Sequence, residues 1–356
     1  MGLFGLGKKP GLGIDIATDA VKAVELLPHE DTYQVIGVAE HALPKSVITE
    51  DEIVDIEKLA KIVVQARKKL SGKTKDVVSA VSGNLAISKQ IAVSADLDDE
   101  AIAEKIEAEA EALIPFPLNE VRYDFESLGD HPTILGQQRV LVTATRMVSV
   151  DTRVQVFEDA GLNVTIMDVD NQAILRACNY LLPHLQPEVA SSKLPILVLD
   201  IGMHTTQTIV LNQGEVSFNR FQSGGIVSML SSLDQNGAVE HGELLAKLRA
   251  NELEDLSDLF IQDYLGNLWS QTNRGVQMYQ SGASDKTFAA LVVVNIGAMI
   301  PVVLESLNQQ VSYPVIALNP FDHFPLPEKL QHLHDHGPRF VEAVGLALRS
   351  FTPWHT

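Results

Sequence analysis

The chain has 356 residues, 46% of them apolar and 21% charged, which is enough for two domains with real cores. Its formal net charge is −19, and no basic cluster offsets the excess of carboxylates, which argues against a nucleic-acid role and against a direct hold on anionic lipid. A basic peptide is the more natural partner.

Near the N-terminus, MGLFGLGKKP has no sustained apolar stretch and reads as a frayed tail, with Leu3, Phe4 and Leu6 beside Lys8 and Lys9. Residues 11–40 predict a three-strand meander, GLGIDIA, AVKAVELL and TYQVIGVAE. Ile53, Ile56, Leu59, Ile62, Val63 and Ala66 recur at helical spacing over 51–70, and DVVSAVSG follows as a buried strand. SKQIAVSA alternates like a strand. An acidic helix is then expected from Asp96 to Leu113, stopped by Pro115 and Pro117, its Glu-rich face simply solvated. VRYDFESLG and QRVLVTATR read as strands, and Val150 to Ala160 as a helix stopped by Gly161. TIMDVD returns as a strand, and NQAILRACNYLL as a helix in which Cys178, the only cysteine, is a buried structural thiol. A chain with no internal disulfide fits a reducing cytosol. GEVSFNRFQSGG is a strand ending at Gly224 and Gly225, 226–285 is largely helical, and RFVEAVGLALRS is a helix that packs back on the first half. The apolar run Phe288–Leu304 is broken by Asn295, Gly297 and Pro301, so it reads as strand, turn and helix start and not as a membrane span.

One pattern appears twice. GIDIATDAVKAVEL (Gly13–Leu26) and VLDIGMHTTQTIVL (Val198–Leu211) each run an apolar strand into an aspartate, a small-residue turn and a second apolar strand. Asp15 aligns with Asp200. Tight turns of small residues let backbone N–H groups approach phosphate oxygens, here at Ala17, Thr18 and Asp19 and at Gly202, Met203 and His204, with Thr205 and Thr206 behind. Asp15 and Asp200 would face each other across a cleft, a pair suited to a Mg²⁺ that keeps most of its waters. The bland reading is two ordinary hairpins with turn-forming aspartates. Two copies in register, with the NIGA turn at 295–298, favour a nucleotide fold.

The order of elements resembles the actin superfamily, and more closely the PilM family of cytoplasmic actin-like proteins of type IV pilus assembly. The resemblance is carried by GIDIATDAVKAVEL, EALIPFPLNEVRYDFESLG, VLVTATRMVSVDTRVQVFEDAGLNVTIMDVDNQAILRA, LDIGMHTTQTIVLNQGEVSFNRFQSGG and NPF at Asn319–Phe321. It implies an α/β, actin-like (ribonuclease-H-like, duplicated) fold with an FtsA-type inserted 1C subdomain. Subdomain 1A would comprise 1–83, 162–199 and 335–356, the inserted unit 84–161, and the second half 200–334, with a helical 2B at about 240–287.

By the same resemblance, Gly13, Asp15, Ala17 and Thr18 match the first phosphate loop, and Asp200, Gly202, Thr205 and Thr206 the second. Gly224 and Gly225 match the glycine pair near the ribose, Gly297 and Ala298 the adenosine motif, and Glu243 and Lys247 are further candidates for base or ribose contacts. Gln172 resembles the actin glutamine that orients the attacking water, although the family carries an aromatic there. Departures from the pattern are Asp19 in the first loop, Met203 and His204 in the second, and Asn295 and Ile296 in the adenosine motif, which weaken the expectation of tight ATP binding and of hydrolysis.

The resemblance implies a scaffold that binds ATP and Mg²⁺ and the N-terminal cytoplasmic peptide of PilN. It further implies a protein peripheral to the inner membrane through that partner, contact with pilus motor ATPases, and a possible homodimer. A peptide groove is expected near Ile114–Phe125, with Pro115, Phe116 and Tyr123 as contacts and Phe125 in the core. The alternative is a working actin-fold ATPase or small-molecule kinase resting on Asp15 and Asp200. An FtsA-like filament is disfavoured because RSFTPWHT is no basic amphipathic helix. His332, His334 and His336, alternating in a polar loop without cysteine, read as solvent-exposed and not as metal ligands.

Overall fold

The computed structural model describes residues 9–49, 51–234, 239–253 and 258–352. Leu3, Phe4, Leu6 and Lys8 of the N-terminal tail and Pro353–Thr356 lie outside them. The expected meander is β1 (Gly11–Ile16), β2 (Ala20–His29) and β3 (Thr32–Ala42), all antiparallel. A short hairpin of β4 (Ile48–Thr49) and β5 (Glu52–Ile53) leads to α1 (Ile56–Lys69). The Asp55 carboxylate accepts the Lys58 N–H at the start of α1, and Arg67, Lys68 and Lys69 complement the dipole at its end. Its buried stripe of Leu59, Ile62, Val63 and Ala66 covers the sheet. β6 (Asp76–Val81) then pairs parallel to β1.

The inserted unit follows as β7 (Ala86–Ser94), α2 (Asp99–Ala108), α3 (Ala110–Leu113), β8 (Val121–Asp130) and β9 (Gln137–Arg146). Its sheet has the order β7-β9-β8, and Val93, Val140 and Val142 pack against Ile102 and Ile106. The single acidic helix expected over 96–113 is two helices. Asp98 caps the first, and Glu109 leaves helical geometry (φ −102°, ψ 7°), turning the chain so that Ile114 packs with Val121 and Ala144. α4 (Met147–Asp159) links the inserted unit to the first half. It buries Val156 and Phe157 in the core beneath α1, while its Asp151 pairs with Arg122 of β8. β10 (Asn163–Val169) completes the first sheet, parallel to β6.

α5 (Asp170–Leu185) and α6 (Pro187–Ala190) lead into β11 (Ile196–Ile201), β12 (Thr205–Asn212) and β13 (Glu215–Ser223). The expected boundary at 199/200 cuts β11, whose first residue is Ile196, so the second half starts there. After α7 (Ile226–Leu233), α8 (His241–Ala250) and α9 (Asp258–Gly282) come β14 (Leu291–Val294), α10 (Pro301–Gln310) and β15 (Val315–Ala317). The run Phe288–Leu304 is therefore strand, 3₁₀ turn and helix start, and no helix among the described residues is long and apolar enough to cross a membrane.

The two large sheets have the same plan. The order β3-β2-β1-β6-β10 is matched by β13-β12-β11-β14-β15, with the first three strands antiparallel and the rest parallel in both. The duplication seen in two hairpins thus extends to whole sheets. Between them lie α5 and α11 (Val341–Arg349), the latter reached through a 3₁₀ segment, Glu328–Phe340. One core joins Val24 and Val38 of the first sheet, Cys178 and Leu181 of α5, Val344 and Ala347 of α11, and Val198 and Val292 of the second sheet. Burial pushes the Cys178 thiol up to about 12, as befits an inert core residue.

Candidate functional site

The two hairpin turns meet in a cleft between the sheets. It is lined by Asp15, Ala17, Thr18 and Asp19 from the first turn and by Asp200, Gly202, Met203 and Thr205 from the second. A hydrogen bond spans it: Thr18 Oγ1 lies 3.1 Å from His204 Nδ1. His204, unexpected in a phosphate loop, here ties one loop to the other.

Register explains the first carboxylate. Asp15 pairs with Lys22 across the hairpin, and Lys22 Nζ stands 2.5 Å from Asp15 Oδ2 with both side chains buried. Burial raises the Asp15 carboxyl while Lys22 draws it down, and the same contact holds Lys22 protonated. In the second hairpin the position of Lys22 is taken by Gln207, opposite Asp200, so Asp200 lacks this partner. Burial pushes Asp200 up to about 6, against an opposing hydrogen bond from Asn295, and its Oδ1 has no hydrogen-bond partner among the described residues.

Asp19, which counted against phosphate binding, is also neutralised from within. Arg339 donates to its Oδ2 at 2.7 Å and reaches Glu40 at 2.6 Å. Arg339 sits just before α11, 320 positions away.

The other expected residues are placed as follows. Gly13 is buried under α11, where a Cβ would lie 2.2 Å from the Ala343 carbonyl oxygen, so its visible role is strand–helix packing. Thr206 is buried in β12, next to the cleft. Gly224, at φ 104°, and Gly225 donate their N–H groups to the His204 carbonyl, and a Cβ on Gly225 would lie 2.5 Å from the Gly202 carbonyl oxygen. The glycine pair is thus fastened to the second loop. Gly297 packs on Ile201 in the 3₁₀ turn Ile296–Met299, with Ala298 buried beside it. Glu243 and Lys247 pair with each other at 2.8 Å on α8. Pro115 is exposed, Phe116 carries the Arg146 guanidinium 4.9 Å above its ring, and the Tyr123 hydroxyl donates to Glu107 at 3.0 Å. Phe125 is partly buried against the core of the inserted unit.

Several residues of the cleft escaped sequence reasoning. Asp170, at the start of α5, is buried beside Gly83, accepts a 3.5 Å contact from Gln207 and is pushed by burial to about 7. Glu342 of α11, half-buried, lines the cleft too and is raised well above its usual range by desolvation and by the nearby Asp15 and Asp170. Arg153 of α4 enters from the first half. Gln172 does not line the cleft. Lys22 had one visible signal, a lysine inside an otherwise apolar strand, whereas Arg153, Arg339 and Glu342 are remote in sequence and had none.

A magnesium nucleotide fits this site in part. Asp200 offers a free carboxylate oxygen, and a hydrated Mg²⁺ needs only one or two such groups. Asp15 is already committed to Lys22. Among the described residues no group of three or more His, Cys, Asp or Glu side chains could hold a metal, and His334 instead lies 3.2 Å from both Asp322 and Asp335. The cavity measures about 80 Å³, several times the roughly 10–15 Å³ that one enclosed water needs, and so has room for a phosphate group.

Comparison with known proteins decides the family. The profile of the family described as "Type IV pilus assembly protein PilM" matches residues 13–351. The chain belongs to the PilM family. A solved structure described as a "PilM-PilN type IV pilus biogenesis complex" is similar over 97% of this chain and 100% of that one, at 22% identity and a TM-score of 0.81. The ethanolamine utilization protein EutJ from Carboxydothermus hydrogenoformans is similar over 96% of this chain and 90% of its own, at 14% identity and a TM-score of 0.56. The fold is the actin-like one of the PilM family, built from the duplicated sheets described above.

Proposed function

We propose that this chain is a cytoplasmic scaffold of the type IV pilus inner-membrane assembly complex. It binds the N-terminal cytoplasmic peptide of PilN and carries Mg-ATP in the cleft between its halves. The observation that carries the reading is the match over the full length of a chain solved in a PilM–PilN complex, together with membership of the PilM family. The excess of carboxylates suits a basic peptide. Pro115, which is exposed, and Phe116, packed with Ile114 and Val121 of the inserted unit, are the residues we assign to its docking surface. The membrane is reached through PilN, and motor ATPases and a second copy of the chain are further partners of this reading. In the cleft, the Ala17 and Gly202 N–H groups are already donated to the Ala20 and Thr205 carbonyls, so the Thr18 backbone N–H would hold a phosphate oxygen, and Asp200 would hold a hydrated Mg²⁺ that offsets its charge. Purifying the chain from cells and identifying its bound nucleotide and co-eluting membrane proteins tests this. Recovery of PilN with an adenine nucleotide supports it, and recovery of neither contradicts it.

A second reading, an active ATPase or small-molecule kinase, is favoured by one observation. Asp170 is a buried cleft carboxylate pushed to about 7, the range of a working general base. Single-turnover ATP hydrolysis lost on Asp170→Asn would support it, and no turnover above background in the unmodified chain would refute it.

A further inference from the structure

The cleft has an unusual charge balance. Its lining carries six carboxylates, Asp15, Asp19, Asp51, Asp170, Asp200 and Glu342, and among the described lining residues a single basic side chain, Arg153. A polyphosphate approaching these carboxylates is repelled except where a cation meets it. Lys22 and Arg339 are bound to Asp15, Asp19 and Glu40. Arg153 is differently placed. It is 3% exposed, and its two terminal nitrogens are anchored on backbone carbonyls, one on Ser149 at 3.1 Å and the other on Asp51 at 3.2 Å. These anchors fix the plane of the guanidinium. Its Nε is buried and has no hydrogen-bond partner among the described residues. The guanidinium, held in place with Asp51, Asp170 and Glu342 as its charged neighbours, is the cation of the cavity wall that an anion would meet.

Position tells which part of a nucleotide it would meet. The residues assigned to ribose and base, Gly224, Gly225, Gly297 and Ala298, belong to the second half and do not line this cavity. Arg153 enters from the first half, together with Asp51 and Ser82. We propose that Arg153 is the residue with which the cleft reads the terminal phosphate of a bound nucleotide, telling a triphosphate from a diphosphate. This rests on the nucleotide reading above. It also places the reading on α4, the helix that follows β9 of the inserted unit and whose Asp151 pairs with Arg122 of β8 at 3.2 Å. The phosphate state would thereby be felt where the peptide is proposed to dock.

Calorimetric titration of Mg-ATP and Mg-ADP into the full chain and into Arg153→Gln and Arg153→Lys tests the assignment. Arg153→Gln is expected to weaken Mg-ATP about 10- to 100-fold and leave Mg-ADP within about twofold. Lysine is not expected to rescue, because it cannot keep both carbonyl anchors and present a third donor. Equal losses for both nucleotides, or no loss for either, overturn the assignment. An unmodified chain that binds neither nucleotide sinks the nucleotide reading itself, and this inference with it. Should the variants fail to fold, hydrogen exchange on the unmodified chain decides: residues 147–159 exchange more slowly with Mg-ATP than with Mg-ADP if Arg153 reads the terminal phosphate, and equally if it does not.

Discussion

Thr18 and His204 touch across the cleft, Oγ1 to Nδ1 at 3.1 Å, although 186 positions separate them in the chain. They occupy the tips of the two duplicated hairpins, so the bond joins the halves at the point where a phosphate chain would enter. Such a bond is worth about 0.5–1.5 kcal/mol. Thr18→Val and His204→Ala are each expected to lower unfolding stability by about that much. The double variant should cost no more than the larger single one, because either change removes the same bond. A double-mutant cycle in urea that shows strict additivity would refute the link.

Lys22 is predicted to be the more consequential partner. Removing one member of a buried ion pair leaves the other charged and unsatisfied, at a cost of about 3–5 kcal/mol. Lys22→Met should therefore unfold at much lower denaturant, and Asp15→Asn combined with Lys22→Met should recover much of the loss. Equal stability of the single and double variants would show that Asp15 does not depend on Lys22.

Asp170 and Asp200 give stability a pH signature. Both are raised, to about 7 and about 6, from an ordinary value of 3.8. Between those limits the folded state holds protons that the unfolded chain has released, so this contribution is lost as pH rises from about 4 through 7. Asparagine keeps the acceptor oxygen but carries no charge. Asp170→Asn should thus raise the melting temperature at pH 8, by an amount on the order of a few kcal/mol in stability, and the gain should fade toward pH 4. A gain that grows on acidification would reverse the sign and refute the assignment.

Gly13 separates packing from ligand binding. A Cβ there would press on the Ala343 carbonyl and on the Ala347 nitrogen at 2.4 Å, both backbone atoms of α11. Gly13→Ala is expected to lose about 1–3 kcal/mol or more of stability. A variant of normal stability that binds nucleotide poorly would return Gly13 to the phosphate loop.

What was legible in the chain follows from the range of the interactions. The hairpins, α1 and the inserted strands are local patterns of period 2 or 3.6, and they stand where expected. The whole-sheet duplication could be inferred from Asp15 and Asp200 because each hairpin forms the middle of its sheet. The break at Glu109 was hidden, since the apolar stripe of Ile102, Ile106, Ala110 and Leu113 continues through it and only the docking of Ile114 demands a turn. The packing of α4 was not legible, because sequence adjacency to β9 says nothing of Phe157 lying beneath α1. The misjudged loop residues share a cause. Asp19 and His204 look hostile to phosphate until Arg339 and Thr18 arrive from far along the chain.

The central claim is that this PilM-family chain docks a peptide, and calorimetry with the synthetic N-terminal cytoplasmic segment of PilN tests it most directly. The account predicts saturable one-to-one binding that Phe116→Ala weakens about tenfold or more, the size of an aromatic anchor's loss. No saturable heat with the unmodified, folded chain would contradict it.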